Sequence, residues 1–253
     1  MIMLIPLAED SLGLRKVRLV ATDMDGTLTS RGKFTSFLLQ ALEDLARANL
    51  PVVIVTGRSA GWVNGVWNYL PVAGAIAENG GVYYASSEPE VLTAIPDLNA
   101  HRQQLAETFH WLQSQFPQME EAADNRFRLT DWTFDVQGLT TTELRQVGHL
   151  CRQQGWSFTY STVQCHIKPR QQDKASSLLQ ILQRYFSHLK PNEVLTVGDS
   201  PNDESLFDPD KFPHSVGVAN VLHYRSQLKH QPAYITHQSE GAGFCELVEL
   251  LLR

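Results

Sequence analysis

Residues 17–27 read VRLVATDMDGT. The opening VRLVA is a short, β-branched apolar run that gives way to small polar and acidic residues and a glycine. A buried strand that delivers polar groups at its carboxyl end has this form. Two further stretches repeat it: PVVIVTGR at 51–58 and EVLTVGDSPND at 193–203. Between the first two, Leu38, Ala41, Leu42 and Leu45 recur at the i, i+3, i+4, i+7 spacing of a helix, with Thr35 placed to cap it. Val63, Val66, Trp67 and Leu70 mark a second helix. Ala175, Leu178, Leu179, Leu182 and Phe186 mark a strong one ahead of the third strand. Short strands are expected in SVGVANV (215–221) and AYIT (233–236), a hairpin at Asn79-Gly80, and a last helix near 243–252. Strands alternating with helices predict an α/β fold, a doubly wound parallel sheet with helices on both faces.

The middle of the chain reads differently. Residues 85–167 hold two helix patterns, one through Leu105, Phe109, Leu112 and Phe116, the other through Leu144, Val147 and Cys151. Trp156, Phe158 and Tyr160 alternate with polar residues, and Val163, Cys165 and Ile167 do so after a Ser161-Thr162 turn. RFRLTDWTFDV (126–136) alternates too, with a phase slip at Asp131 that a bulge or a turn would produce. These features predict an α+β cap inserted into a core made of residues 1–84 and 168–253.

The 253 residues are 43% hydrophobic and 19% charged, with a formal net charge of -6. That balance lacks the basic footprint of a nucleic-acid binder. No stretch approaches the roughly 18–20 apolar residues that span a bilayer, and the start, MIMLIPLAEDSLGLRK, lacks a signal-peptide core. Three scattered cysteines, Cys151, Cys165 and Cys245, read as structural thiols in a reducing compartment. The expectation is a soluble, cytoplasmic protein.

In an open parallel sheet the carboxyl ends of the strands share one crevice. Asp23, Asp25, Thr56, Asp199 and Asp203 should therefore meet there. Four carboxylates together repel unless a cation or shared protons intervene, and Mg²⁺ is a natural hard partner for carboxylate oxygens and for a substrate phosphate. Phosphoryl transfer needs a nucleophile, an acid for the leaving oxygen and positive charge around the transferring oxygens. Lys174, at the amino end of a helix, could face that anion. Thr56 and the backbone amide of Gly57 could donate further hydrogen bonds. Taken singly, Thr56 could instead cap the helix that begins near Ser59, Asp203 and Asn202 the turn after them, and Lys174 could be a solvated helix-start lysine. Arg58 reads as a structural ion-pair partner.

The four pieces, in order, resemble the four motifs of the haloacid dehalogenase superfamily: DMDGT (23–27), Thr56 in VTGR, Lys174, and GDSPND (198–203). The resemblance implies a Rossmann-like core, Asp23 as nucleophile and Asp25 as general acid and base. It places Mg²⁺ between Asp23, the backbone carbonyl of Asp25 and Asp199, with Asp203 as ligand or just behind. Thr56, Gly57, Lys174 and Asn202 would hold the phosphate. The cap's position and AENGG (77–81) resemble the Cof-like branch, which includes sucrose-phosphate phosphatases. A small phosphorylated metabolite, with a hexose or disaccharide phosphate first, is the implied substrate. Alternatives are a phosphomutase or phosphotransferase of the same superfamily, and a non-catalytic module that binds a phosphorylated ligand. If the apolar faces of the cap strands pack on their own helices, the opposite face carries Arg126, Arg128, Gln164, His166 and Lys168. Arg128, His166 and Lys168 are then expected either to contact the leaving group or to form an ordinary solvated face.

Overall fold

The computed structural model describes residues 5–6, 13–86, 88–161 and 163–253. The strands are β1 (Ile5–Pro6), β2 (Leu19–Thr22), β3 (Val52–Val55), β4 (Gly74–Ala77), β5 (Val82–Tyr84), β6 (Glu90–Val91), β7 (Trp132–Asp135), β8 (Ser157–Tyr160), β9 (Gln164–Lys168), β10 (Val194–Gly198), β11 (His214–Gly217) and β12 (Tyr234–Ile235). The helices are α1 (Ser36–Arg47), α2 (Ala60–Tyr69), α3 (Leu98–Gln115), α4 (Thr141–Gln153), α5 (Lys174–Tyr185) and α6 (Glu240–Leu251). None of them is long and apolar enough to cross a membrane.

A nine-stranded sheet runs in the order β1-β12-β11-β10-β2-β3-β4-β5-β6. All its pairings are parallel except those of β4 with β5 and β5 with β6. Every residue of β2, β3 and β10 is buried, which explains the unbroken apolar runs: helices cover both faces. Val20 packs with Leu38, Leu42 and Leu45 of α1 and with Phe244 and Leu247 of α6. Its neighbours Leu19 and Ala21 point the other way, into Leu178, Ile181 and Leu182 of α5. Thr35 caps α1 by accepting the Leu38 amide at 3.2 Å, as its position in sequence predicts. Asp173 caps α5 by accepting the amides of Ala175 and Ser176, and so fixes Lys174 as the first helical residue.

β7, β9 and β8 form a separate antiparallel sheet. Its Phe134, Cys165 and Ile167 pack on Leu105, Phe109 and Leu112 of α3 and on Leu144, Val147 and Cys151 of α4. All three cysteines are free. The pairing of β8 with β9 follows the sequence pattern; of the turn expected between them, Thr162 lies outside the described residues, as do residues 1–4 and 7–12 of the amino-terminal patch. The large sheet continues past Tyr84 to β6, and Lys168 ends β9 of the small sheet.

The alternating strand expected over 126–136 is a correction. Residues Asn125–Phe127 form a 3-10 turn, and only Trp132–Asp135 is strand. The amides of Leu129 and Thr130 donate to the carboxylate of Glu78, in the β4–β5 loop of the large sheet, where a strand would have offered them to a neighbour. Glu78 also accepts the Ala60 amide at 2.9 Å and the Thr130 hydroxyl at 2.7 Å. It is fully buried and ties the two sheets together. Glu78→Ala strands several buried donors, at roughly 1–3 kcal/mol for each left unpaired. A loss of at least about 3 kcal/mol in urea unfolding is the expected result, and an unchanged midpoint would refute this role.

Candidate active site

The carboxyl ends of β2, β3 and β10 lie side by side. Asp23 follows the first, Thr56 the second and Asp199 the third, and all three are buried. Asp203 comes from the 3-10 turn Pro201–Phe207 after β10. One carboxylate oxygen from each of Asp23, Asp199 and Asp203 lies within 4.8 Å of the others. Lys174, 1% exposed, places its Nζ 2.5 Å from Asp23 Oδ1 and 2.6 Å from Asp203 Oδ1. The parallel sheet thus brings together residues separated by as many as 180 positions of sequence.

Each carboxylate is held differently. Asp203 Oδ2 accepts the amides of Asp199 (3.0 Å) and Ser200 (3.1 Å), so this side chain shapes the loop that carries Asp199. Asp199 Oδ1 accepts the Thr27 hydroxyl (3.0 Å) and its Oδ2 the Asn220 amide group (2.9 Å). Asn220, just beyond β11, also donates to Gly26 O at 3.0 Å. The sequence reading missed it, although its place after SVGVA at the end of an apolar run was a usable signal. Gly26 has φ +82°, and a Cβ there would stand 2.6 Å from Asp199 Oδ2, so the DMDGT turn needs glycine for both reasons.

Charge does not balance among these groups: three buried carboxylates share one ammonium. Burial, then the charge of Asp203, pushes Asp23 up to about 7, with Lys174 pulling the other way. Burial, followed by Asp23 and Asp203, holds Asp199 well above the usual carboxylate range. Burial works against the charge of Lys174, but Asp203 and Asp23 outweigh it and keep the ammonium protonated. A compact set of hard oxygen donors with surplus negative charge fits a divalent cation of the Mg²⁺ kind.

Asp25 stands apart from that cluster. Both its oxygens are taken by Arg58, Nε to Oδ2 at 2.8 Å and Nη2 to Oδ1 at 2.7 Å. Arg58 is thus the ion-pair partner its sequence position suggested. Thr56 Oγ accepts the Arg58 amide at 3.2 Å, while Ser59 occupies the cap position of α2. Asn202 donates to Asn79 Oδ1 at 3.1 Å.

Asp23, Asp25, Thr56, Gly57, Arg58 and Asn202 line one side of a cavity, and Ser161 and Val163 of the β8–β9 connection, with Gln164 and His166 of β9, close the other. The enclosed space is about 10 Å³, roughly the room one water needs. An organic phosphate enters only if the two sheets part.

The three cap candidates do not behave alike. Arg128 is buried and donates to Gly57 O (2.9 Å), Asp131, Asp124 and Gln164. Lys168 donates to Gln172 O, and burial pushes it down to about 8. Neither lines the cavity, and neither forms a solvated face: Arg128 lies before β7, buried against Gly57, and Lys168 is buried against Gln172. His166 alone of the three reaches the cavity wall.

A protein-family model described as sucrose-6F-phosphate phosphohydrolase matches residues 16–249. The chain belongs to that family. It is a phosphoric monoester hydrolase with the haloacid dehalogenase fold. A phosphoglycolate phosphatase of Metallosphaera sedula is 26% identical over 93% of this chain and 99% of its own length. A Thermoplasma acidophilum crystal structure superposes with a TM-score of 0.76 at 21% identity, covering 94% of this chain and 99% of that one. The sucrose-phosphatase of Synechocystis, solved with sucrose and phosphate, gives 0.68 at 18% identity over 94% and 98%. The match takes in the small sheet as well as the strand ends that carry the aspartates.

Proposed function

We propose that this chain is a Mg²⁺-dependent phosphatase that hydrolyses a small phosphate monoester, with sugar phosphates as the substrate class, through an aspartyl-phosphate on Asp23. The observation that carries the reading is the pairing of Asp23 with Lys174 at a buried strand end, within reach of Asp199 and Asp203. A lone buried carboxylate would simply hold a proton. One bound to an ammonium, beside a set of oxygens fit for a cation, is kept available for attack on phosphorus.

Asp23, Asp199 and Asp203 would hold the cation, with the Asp25 backbone carbonyl, and a bound Mg²⁺ would neutralise charge on the phosphoryl oxygens. Lys174, Thr56, the Gly57 amide and Asn202 would orient the phosphate. Asp23 forms a bond to phosphorus as the bond to the leaving oxygen breaks, and Asp25 gives that oxygen a proton. Asp25 then takes a proton from water, whose oxygen attacks phosphorus and frees Asp23. The ion pair with Arg58 must open for Asp25 to do this, so Arg58 acts as a latch on the acid. Separation of the small sheet from the core admits substrate, and its return excludes bulk water.

The sugar-phosphate class draws support from the family description and from the polar Ser161, Gln164 and His166 opposite the nucleophile. Phosphate release from hexose phosphates, disaccharide phosphates and phosphoglycolate, with Mg²⁺ and with chelator, tests it. Metal-dependent release with the highest kcat/KM on a sugar phosphate is the expected result. A preference for phosphoglycolate would overturn the substrate class, and phosphate passed to an added sugar instead of water would make the enzyme a transferase.

A further inference from the structure

Gly57, Arg128, Asp131 and His166 form a closed ring. Arg128 Nη1 donates to Gly57 O at 2.9 Å and to Asp131 Oδ1 at 2.9 Å. The Nδ1 of His166 lies 2.8 Å from Asp131 Oδ2. The far edge of the same imidazole then comes back to Gly57: a Cβ built on that glycine would meet His166 Cε1 at 3.0 Å and Nε2 at 3.1 Å. Arg128 and Asp131 have fully buried side chains, and His166 is 1% exposed. The ring is therefore a built feature of the interior, and it fixes the imidazole plane. Its Nε2 has no hydrogen-bond partner among the described residues, although His166 lines the cavity that holds Asp23 and Asp25.

We infer that His166 is the specificity residue of the cap, and that its Nε2 accepts a hydrogen bond from a hydroxyl of the leaving group. This rests on the phosphatase reading of the same site and narrows it. Asp131 accepts from Nδ1, which leaves the proton on Nδ1 and a lone pair on Nε2. Burial holds the imidazole below its ordinary value, against the pull of Asp131, so it stays neutral. Arg128, held by four protein acceptors, keeps Asp131 ionised and is a positioning residue that never touches substrate. A neutral acceptor favours a hydroxyl over a carboxylate, which fits a sugar better than glycolate. Because the same Arg128 holds the carbonyl of Gly57, parting of the two sheets to admit substrate breaks that bond, while the bonds of Asp131 to Arg128 and His166 keep the hydroxyl reader oriented.

The test compares kcat/KM on the best-hydrolysed member of a panel of hexose and disaccharide phosphates with kcat/KM on p-nitrophenyl phosphate, whose leaving group has no further hydroxyl. His166→Asn keeps an amide donor near Asp131 but removes the nitrogen at the Nε2 position. The sugar-to-nitrophenyl ratio is expected to fall by about tenfold, the worth of one hydrogen bond, chiefly through KM. His166→Gln restores an amide near the Nε2 position and should recover part of the ratio. Parallel loss on both substrates in both variants would mean a purely structural histidine and would overturn the inference. A wild type active on p-nitrophenyl phosphate but on no sugar phosphate would also overturn it. A wild type inactive on every ester would bring down the phosphatase reading beneath it.

Discussion

Asp23→Asn should abolish turnover while making the metal-free protein more stable. The amide cannot form the phosphoryl ester, and loss of a nucleophile of this kind costs on the order of 10⁴-fold or more in kcat. The stability effect has the opposite sign because the folded chain disfavours the ionised Asp23, raising its pKa from 3.8 to about 7. A group raised in the folded state binds its proton more tightly there than in the unfolded chain. Wild type therefore loses stability as pH climbs from about 4 to about 7, and Asn, neutral throughout, does not. In chelator, the melting-temperature advantage of Asp23→Asn should be small at pH 4 and grow to its full size above pH 7. Mg²⁺ should then stabilise wild type more than the variant, since it offsets the charge that the variant lacks. A variant less stable than wild type at pH 8 in chelator would show that the surplus of carboxylate charge is compensated in some other way.

Lys174→Met should have the largest effect on folding. Its ammonium is the shared partner of Asp23 and Asp203, and all three groups are buried. Breaking a buried pair by removing one member costs about 3–5 kcal/mol, because the remaining charge is left without water or partner. Here two carboxylates are stranded by one substitution. Part of the loss should be recovered at pH 5, where Asp23, already raised to about 7 and then freed of the pull of Lys174, takes up a proton. Urea unfolding at pH 8 and pH 5 checks this: a deficit that shrinks on acidification supports the triad, and an equal deficit at both would mean that Met simply packs badly. Phosphate release should fall by at least about 10²-fold, through the lost stabilisation of transferring charge.

How much of this was legible in the sequence depends on what each segment packs against. Residues 17–27 and 193–203 could be read because their strands are buried on both faces and end where polar groups must collect. Once those strands are parallel neighbours, Asp23 and Asp199 have to meet, whatever lies between them in the chain. Lys174 was legible because the helix behind it has a clear stripe, and the Asp173 cap seen in the structure fixes it as the first helical residue. Arg128 and Lys168 show the limit. Strand alternation says which face a side chain occupies but not what covers that face: Arg128 turns to the carbonyl of Gly57 in the β3–α2 loop, and Lys168 to the carbonyl of Gln172. Glu78 of the β4–β5 loop drew Leu129 and Thr130 out of the expected strand, a long-range effect with no local signal. The pairing of β1 with β12 was hidden for a related reason: a two-residue strand carries no period.

The central claim is that Asp23 becomes phosphorylated during turnover. Rapid acid quench of a Mg²⁺-supported reaction, followed by borohydride reduction and peptide mass spectrometry, tests it directly, since reduction of an acyl phosphate converts the aspartate to homoserine. The account predicts homoserine at position 23, dependent on substrate and metal and absent from enzyme quenched without ester. Phosphate release with Asp23 unmodified, or homoserine at Asp25 or Asp199, would contradict it.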